Sequence, residues 1–88
     1  MGASRDLPAN HKRFFRELGH RVRSFRTDRN LSQEDMYSYG FSVRHWQRIE
    51  SGSPITLSTL LRICEAFNLT FEQLLAGLSH HLRKRRKE

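Results

Sequence analysis

The chain has 88 residues, which is enough for one small domain with a modest core and too few for a large enclosed active site. Its single cysteine, Cys64, excludes an intrachain disulfide framework and a paired metal-thiolate motif, and no apolar stretch is long enough to span a bilayer. The net charge of +7 favours a polyanionic partner, either nucleic acid or an anionic membrane surface.

The first helix is predicted to follow a short N-terminal arm. Residues 1–8 show no apolar period, and we expect them to form a disordered arm. From residue 9 onward apolar side chains recur every three or four positions, which predicts an amphipathic helix. Its apolar stripe consists of Phe14, Phe15, Leu18, Val22 and Phe25. Gly19 within this helix indicates close packing of another helix, and Asn30 fits a left-handed residue at its end.

A tight glycine turn is predicted to separate the second and third helices. The second helix begins at Ser32, which pairs with Asp35 in a short-armed version of the capping box, and its core residue is Met36. Gly40 breaks this helix because it tolerates the positive φ of a tight turn. Ser42 then caps a third helix, which runs from Val43 to about Glu50 and ends at Gly52.

Two further helices complete the predicted domain. Thr56 caps a fourth helix that ends at Asn68, and a capping box of Thr70 and Gln73 opens a fifth. The inward residues of the fourth helix are predicted to be Leu57, Leu60, Leu61, Cys64 and Phe67. The apolar face of the fifth consists of Phe71, Leu74, Leu75 and Leu78. Gly77 weakens or ends the fifth helix, and residues 79–88 form a basic tail that extends it or is disordered; like-charge repulsion favours disorder.

The predicted third helix has an apolar side and a basic side when its residues are placed 100° apart. The apolar side holds Trp46, Ile49 and Glu50. The opposite side holds Arg44, Gln47 and Arg48, with His45 beside them. A helix in the DNA major groove needs such a polar side, because arginine forks onto guanine O6 and N7. Two exposed arginines also fit an ordinary solvated surface, so the wheel alone leaves both interpretations open.

Six short motifs occur in a fixed order between Leu18 and Leu75. They lie at residues 18–23 with Arg26, then at 31–36, 40–42, 49–52, 56–61 and 69–75. Their order and spacing resemble those of the lambda-repressor-like (Cro/repressor-type, XRE-like) helix-turn-helix family of DNA-binding proteins. The resemblance implies a compact all-α domain of five helices over residues 9–78, of bacterial or phage origin. It also implies binding of a palindromic operator as a homodimer, with the third helix in the major groove.

The resemblance assigns roles to individual residues. The positions that read bases in the family correspond to Val43, Arg44 and Arg48. The positions that flank the bases or contact phosphates correspond to Gln33, His45, Gln47, Ser51 and Ser53. Gln33 also matches a residue that often braces a reading side chain. Arg26 and Glu50 match a pair that forms an internal salt bridge between the first and third helices.

The second helix departs from the family pattern. The family usually has one more residue between the position of Met36 and the turn glycine, and a small residue where Tyr37 stands. The loop between Gly52 and Thr56 is also one residue shorter than usual. A shorter second helix with a bulky side chain changes the crossing angle of the two helices, unless Tyr37 points outward.

Charge is distributed unevenly along the chain. Residues 1–30 hold eight Lys/Arg against three Asp/Glu, residues 77–88 hold five against one, and residues 31–76 hold three against five. Non-specific affinity for DNA is therefore expected to come from the two basic ends. Basic ends also suit anionic lipid, but the tail lacks the bulky apolar neighbours of a membrane-binding segment, so no membrane partner is predicted.

The favoured function is a cytoplasmic, nucleoid-associated transcriptional regulator whose partner is double-stranded DNA. The alternative is an antitoxin or adaptor that uses the same scaffold to bind another protein. An exposed apolar patch around Leu75, Leu78 and Leu82 would fit a protein partner or a second copy of the chain. No catalytic triad, carboxylate pair or phosphate loop is present, so we predict no enzyme activity and no cofactor. The five histidines lack metal-ligand spacing, and Cys64 fits a buried core position.

Overall fold

A computed structural model of the protein describes residues 7–82. This range contains four α-helices and two 3-10 helices, and no strand. The α-helices are α1 (Ala9–Asp28), α2 (Val43–Glu50), α3 (Leu57–Phe67) and α4 (Phe71–Leu75). The 3-10 helices are Glu34–Tyr39 and Leu78–Leu82. The predicted five-helix, all-α fold is confirmed, with the fifth helix divided into α4 and the second 3-10 helix. Of the predicted arm (residues 1–8) and tail (residues 79–88), residues 1–6 and 83–88 lie outside the described residues, and residues 79–82 belong to the second 3-10 helix.

Side-chain caps begin three of the helices at the predicted residues. The hydroxyl of Ser42 accepts from the backbone N–H of His45, and Thr56 caps α3 in the same way. Thr70 and Gln73 exchange side-chain and backbone hydrogen bonds in a complete capping box. Each cap satisfies an N–H that has no partner within the helix, which fixes where the helix begins. Asn68 adopts the left-handed conformation after α3, as its position in the sequence predicts.

The second helix differs from the prediction in type and length. Ser32 and Asp35 form the expected reciprocal box, with bonds of 2.7 and 3.0 Å, but the helix starts at Glu34 and winds as a 3-10 helix. A 3-10 helix rises about 2.0 Å per residue and an α-helix about 1.5 Å, so six 3-10 residues cover about the length of eight α-helical ones. The 3-10 winding therefore lengthens the segment, which is the direction that offsets a missing residue. Tyr37 points outward and is 76% exposed, and Gly40 ends the helix with a φ of 91°.

The core forms where α1, α2 and α3 meet. It contains Leu18, Val22, Met36, Phe41, Trp46, Ile49, Leu60, Ile63, Cys64, Phe67, Leu74 and Leu78. The ring of Trp46 packs edge-on against Phe41 and Phe67, at centroid distances of 4.9 and 5.9 Å. Edge-to-face aromatic pairs at these distances have a preferred relative orientation in addition to their burial of apolar surface. The three rings therefore fix the rotation of α2 about its own axis.

Three expectations about burial are wrong. Leu57 and Leu61 are 63% and 47% exposed, because the buried stripe of α3 follows the i, i+3, i+4, i+7 series that starts at Leu60 and includes Ile63. Leu78 is buried in the core and takes no part in an exposed patch. Phe71, predicted on the apolar face of the fifth helix, is 42% exposed at the first position of α4, which is only five residues long.

Helix α1 packs against both α2 and the C-terminal helices. A Cβ atom at Gly19 would lie 2.7 Å from the backbone oxygen of Glu50 and 2.8 Å from that of Ile49. The close packing predicted at Gly19 is therefore the contact between α1 and the end of α2. At the other side of α1, Arg21 donates to the backbone oxygens of Leu74 and Ala76 and holds the C-terminal helices.

Candidate nucleic-acid interface

Helix α2 presents the polar face that its sequence predicts. Trp46 and Ile49 are fully buried, while Arg44, Gln47 and Arg48 are exposed. Val43 and His45 are half-buried at the edges of this face. Arg44 and Arg48 lie one turn apart, so their guanidinium groups project from the same side of the helix. We call the exposed side chains of Arg44, Gln47 and Arg48, together with Val43, the α2 face.

The turn that leads into α2 is held by an arginine from α3. The guanidinium carbon of Arg62 lies 4.3 Å from the centre of the Phe41 ring, and the side chain donates to the backbone oxygen of Gly40. This stacking and hydrogen bond fix the glycine turn, and therefore the direction in which α2 starts. The partners of Arg62 are about twenty residues away in the chain, so no local sequence pattern predicts this role.

Glu50, at the C-terminal end of α2, is the centre of a buried hydrogen-bond network. Arg26 donates to its two carboxylate oxygens through Nε at 2.6 Å and Nη2 at 3.1 Å. The carboxylate also accepts from Gln33 Nε2 at 3.0 Å and from the indole Nε1 of Trp46. The side chains of Arg26 and Glu50 are 10% and 6% exposed. The expected ion pair is thus present, and it joins α1 and the start of the second helix to α2.

The network also determines the charge of Glu50. Burial of the carboxyl group raises its pKa, but the hydrogen bonds from Arg26, Gln33 and Trp46, together with the positive charge of Arg26, outweigh burial. The pKa of Glu50 therefore lies below its ordinary value, and the group is ionised at neutral pH. The hydrogen bond from Arg26 to this carboxylate is the main reason that the pKa of Arg26 is raised.

Gln33 connects the network to the exposed surface of α2. Its amide nitrogen donates to Glu50, and its amide oxygen accepts a hydrogen bond of 3.2 Å from Gln47 Nε2. Gln33 is half-buried and Gln47 is exposed. A side chain of the α2 face is therefore attached, through Gln33, to a buried ion pair.

The segment after α2 uses its backbone N–H groups internally. The N–H of Ser51 donates to the backbone oxygen of Gln47, that of Gly52 to the backbone oxygen of Ile49, and that of Ser53 to the backbone oxygen of Arg48. The Ser51 hydroxyl also donates to the backbone oxygen of Arg48, at 2.8 Å. A phosphate contact from Ser51 therefore requires its hydroxyl to turn away from α2.

Two grooves border residues 51–54. One of about 280 Å³ lies beside the α2 face and is lined in part by His45, Arg48 and Ser53. The other, of about 400 Å³, lies between this segment and α1, where Lys12 and Arg16 supply positive charge. Each groove is therefore lined by at least one basic side chain, Arg48 in the first and Lys12 and Arg16 in the second.

Residues 7–82 also bear on three other kinds of site, namely a metal site, a reactive thiol and a membrane-spanning helix. No group of three His, Cys, Asp or Glu side chains there is placed to hold a metal ion. Burial of the Cys64 thiol raises its pKa, with smaller contributions from Glu65 and Glu72, so the thiol stays protonated at neutral pH. In the same part of the chain, no helix combines the length and hydropathy needed to cross a membrane.

Comparison with known families gives one result. The model of a family described as a helix-turn-helix domain matches residues 17–78, which extend from near the middle of α1 to the first residue of the C-terminal 3-10 helix. This range contains the Glu50 network and the whole α2 face. No curated protein and no solved structure matches the chain.

Proposed function

The chain belongs to the helix-turn-helix domain family, and on that premise we propose that it is a sequence-specific transcriptional regulator that places α2 in the DNA major groove. The observation that carries the proposal is the division of α2. Trp46 and Ile49 anchor one side of the helix in the core, and Arg44, Gln47 and Arg48 are exposed on the other. A helix fixed in this way presents its polar side chains at a set angle, which base reading requires.

Base reading is assigned to Val43, Arg44 and Arg48. Each arginine has a guanidinium that can donate to O6 and N7 of one guanine. Val43, at the first position of α2, has an apolar side chain suited to the methyl group of thymine. The two arginines supply most of the discrimination between bases, since Val43 has no hydrogen-bonding group beyond its backbone.

Contacts that flank the read bases or reach phosphates are assigned to the rim of the same surface. The residues placed there are Gln33, His45, Gln47, Ser51 and Ser53. Lys12 and Arg16 extend this rim along the groove beside residues 51–54. Those of them that bind phosphate position the protein on the duplex and carry no sequence information directly.

The regulator acts as a homodimer on a palindromic operator, bound to the nucleoid in the cytoplasm. Phe71 and Leu82 are 42% and 45% exposed in the C-terminal part of the domain, where a second copy could bury them. A two-fold dimer places its reading helices about 34 Å apart, one turn of B-DNA.

A second candidate function is an antitoxin or adaptor that binds another protein. The observation in its favour is the exposure of Leu57 and Leu61, which lie one turn apart on α3. A partner that binds this side of α3 would bury both leucines.

Selection of bound sequences from a random duplex pool tests the proposal. The protein is expected to enrich a two-fold symmetric consensus, and a footprint on it should show two half-sites about 34 Å apart. Binding that weakens with salt but enriches no consensus would reject the regulator and favour the antitoxin or adaptor. A footprint over one half-site at saturation would reject the dimer alone.

A further inference from the structure

We propose that Gln47 is a fourth base-reading residue and that the base it recognises is adenine, because Gln33 and Glu50 hold its amide in one orientation. The inference rests on the proposed function, namely that α2 lies in the major groove. It goes beyond the flanking role of Gln47, because it assigns both the type of contact and the base.

The orientation of the Gln33 amide follows from the chemistry of Glu50. An ionised carboxylate has acceptors only, so the group of Gln33 that faces it must be the NH₂. Gln33 Nε2 lies 3.0 Å from Glu50 Oε1, in agreement with this requirement. The carbonyl oxygen of Gln33 consequently points to the other side of the amide, toward α2.

The orientation of Gln47 follows in turn. The Gln33 oxygen accepts only from a donor, so Gln47 must direct its NH₂ toward it, and the two atoms lie 3.2 Å apart. Gln47 is exposed, whereas the Glu50 side chain is 6% exposed. The chain of hydrogen bonds therefore starts from a group shielded from water and ends at a group that faces it.

Two hydrogen-bonding groups of the Gln47 amide are not used by this hydrogen bond. They are the carbonyl oxygen, which accepts, and the second N–H, which donates. In the major groove adenine presents a donor at N6 beside an acceptor at N7, and an amide pairs with both. Guanine presents two acceptors, cytosine a donor, and thymine an acceptor with a methyl group, so adenine alone matches both groups of Gln47.

The position of Gln47 suits this role. It lies three residues after Arg44, four after Val43 and directly before Arg48, so all four side chains share the α2 face. Val43 has no side-chain group that could hydrogen-bond to Gln33. The α2 side chain that bonds to Gln33 is Gln47, one turn after Val43. Fixing the amide before DNA binds removes part of the entropy cost of ordering it at the interface.

The test compares operators selected by the wild-type protein with those selected by Gln47→Ala. We expect one adenine in each half-site whose preference falls about 5- to 150-fold in the variant, the range for one bidentate base contact. At that position the wild-type protein should discriminate against 7-deazaadenine, which lacks the N7 acceptor, and against purine, which lacks the N6 amino group. Gln47→Ala should be indifferent to both.

Two further variants separate base reading from general effects. Gln33→Met keeps the length of the side chain but removes both hydrogen bonds. It should reduce preference at the same adenine by a smaller factor and leave the positions read by Arg44 and Arg48 unchanged. Gln73→Ala, which removes a glutamine amide from α4, should keep the adenine preference. Circular dichroism melting establishes that each variant is folded at the temperature of the selection.

The outcomes are distinct. If Gln47→Ala weakens binding to all sequences equally, Gln47 contacts a phosphate and the inference is wrong. If the variant retains the wild-type consensus at full affinity, Gln47 contacts no DNA and the inference is again wrong, while the proposed function stands. If the wild-type protein enriches no consensus, the proposed function fails, and the inference fails with it.

Discussion

The indole N–H of Trp46 donates to the carboxylate of Glu50, one turn further along α2. Trp46 is fully buried among core aromatic rings, and Glu50 is paired with Arg26 of α1. The same hydrogen bond thus joins the hydrophobic core to the ion pair that docks α2 on α1. In the part of the chain that the structure describes, every buried side-chain nitrogen and oxygen has a hydrogen-bond partner. The Glu50 network therefore contributes both to stability and to the alignment of the α2 face.

Removing Arg26 and removing Glu50 should lower the free energy of unfolding by unequal amounts. Arg26→Ala leaves Glu50 with Gln33 and Trp46 as donors, and we expect a loss of about 3 kcal/mol in the free energy of unfolding. Glu50→Ala leaves the buried Arg26 guanidinium without its carboxylate, and its remaining partner is the backbone oxygen of Leu31. We expect this change to lower the free energy of unfolding by about 5 kcal/mol.

Urea unfolding measures both values. Replacing the pair with Met at position 26 and Leu at position 50 should cost less than either single change, because no charge is then left buried. Equal losses below about 1 kcal/mol in all three variants would show that the pair behaves as an exposed one.

Acid should destabilise the protein through Glu50. Its pKa is lower in the folded protein than in the unfolded chain, so the unfolded state binds the proton more readily. The stabilisation is present above the unfolded value of about 4.3 and is lost as pH falls through the folded pKa. Unfolding free energy should therefore decline below about pH 4.

Glu50→Gln should flatten this decline, which thermal melts at several pH values would measure. Asp35 is the matched control. The pKa of this exposed carboxyl group is lowered by hydrogen bonds from the backbone and side chain of Ser32. Asp35→Asn should leave most of the acid decline in place. If Asp35→Asn removes the decline and Glu50→Gln does not, the coupling assigned to Glu50 is wrong.

Gly19→Ala should disturb the docking of α2. The added Cβ would meet two backbone oxygens within 2.8 Å, and backbone atoms cannot rotate away as side-chain ends do. We expect a destabilisation of about 1–3 kcal/mol, the usual range for overpacking, together with weaker binding to the selected operator. Ser24→Ala, at an exposed position of the same helix, should change neither quantity. A melting temperature for Gly19→Ala equal to that of the wild type would contradict the contact.

Local chemistry in the sequence was sufficient to predict where most helices begin and end. Ser42, Thr56 and Thr70 cap their helices through hydrogen bonds to residues three positions away, so the signal and its effect lie in one short segment. The polar side of α2 was predicted for the same reason, since Trp46 and Ile49 alone fix which side is buried. Helical periodicity and capping are both short-range properties.

The features that were missed depend on distant parts of the chain. The second helix winds as a 3-10 helix, and no local pattern in residues 32–40 predicts that winding. Leu57 and Leu61 belong to a helix with apolar residues on more than one side, and only packing decides which side is buried. The bond of Gln33 to Glu50 joins two different helices, and no local sequence pattern predicts it; the bond of Trp46 to Glu50 spans one turn of α2, a spacing that is visible in the sequence.

The basic tail should affect how strongly DNA binding depends on salt. Residues 31–76 carry more acidic than basic side chains, whereas residues 83–87 are all Lys or Arg. Each phosphate neutralised contributes about −0.9 to the slope of log affinity against log salt. A chain that ends at Leu82 should therefore show a shallower slope with an unchanged consensus, because phosphate contacts do not select bases.

Fluorescence anisotropy over a range of salt concentrations measures this slope. Lys12→Ala combined with Arg16→Ala tests the groove beside residues 51–54 in the same assay, and a reduction of about 0.9 per lost contact is expected. An unchanged slope in the shortened chain would show that the tail contacts no phosphate. A changed consensus would show that it enters a groove.

The central claim is that the α2 face reads DNA sequence, and the base preferences of Arg44→Ala and Arg48→Ala test it most directly. Each variant should lose about 1–3 kcal/mol of binding free energy for the wild-type operator and relax preference at one base pair per half-site. Arg23→Ala, which removes an exposed arginine from α1, should retain the consensus. If both α2 variants keep the wild-type affinity and consensus, α2 is not the helix that reads the DNA.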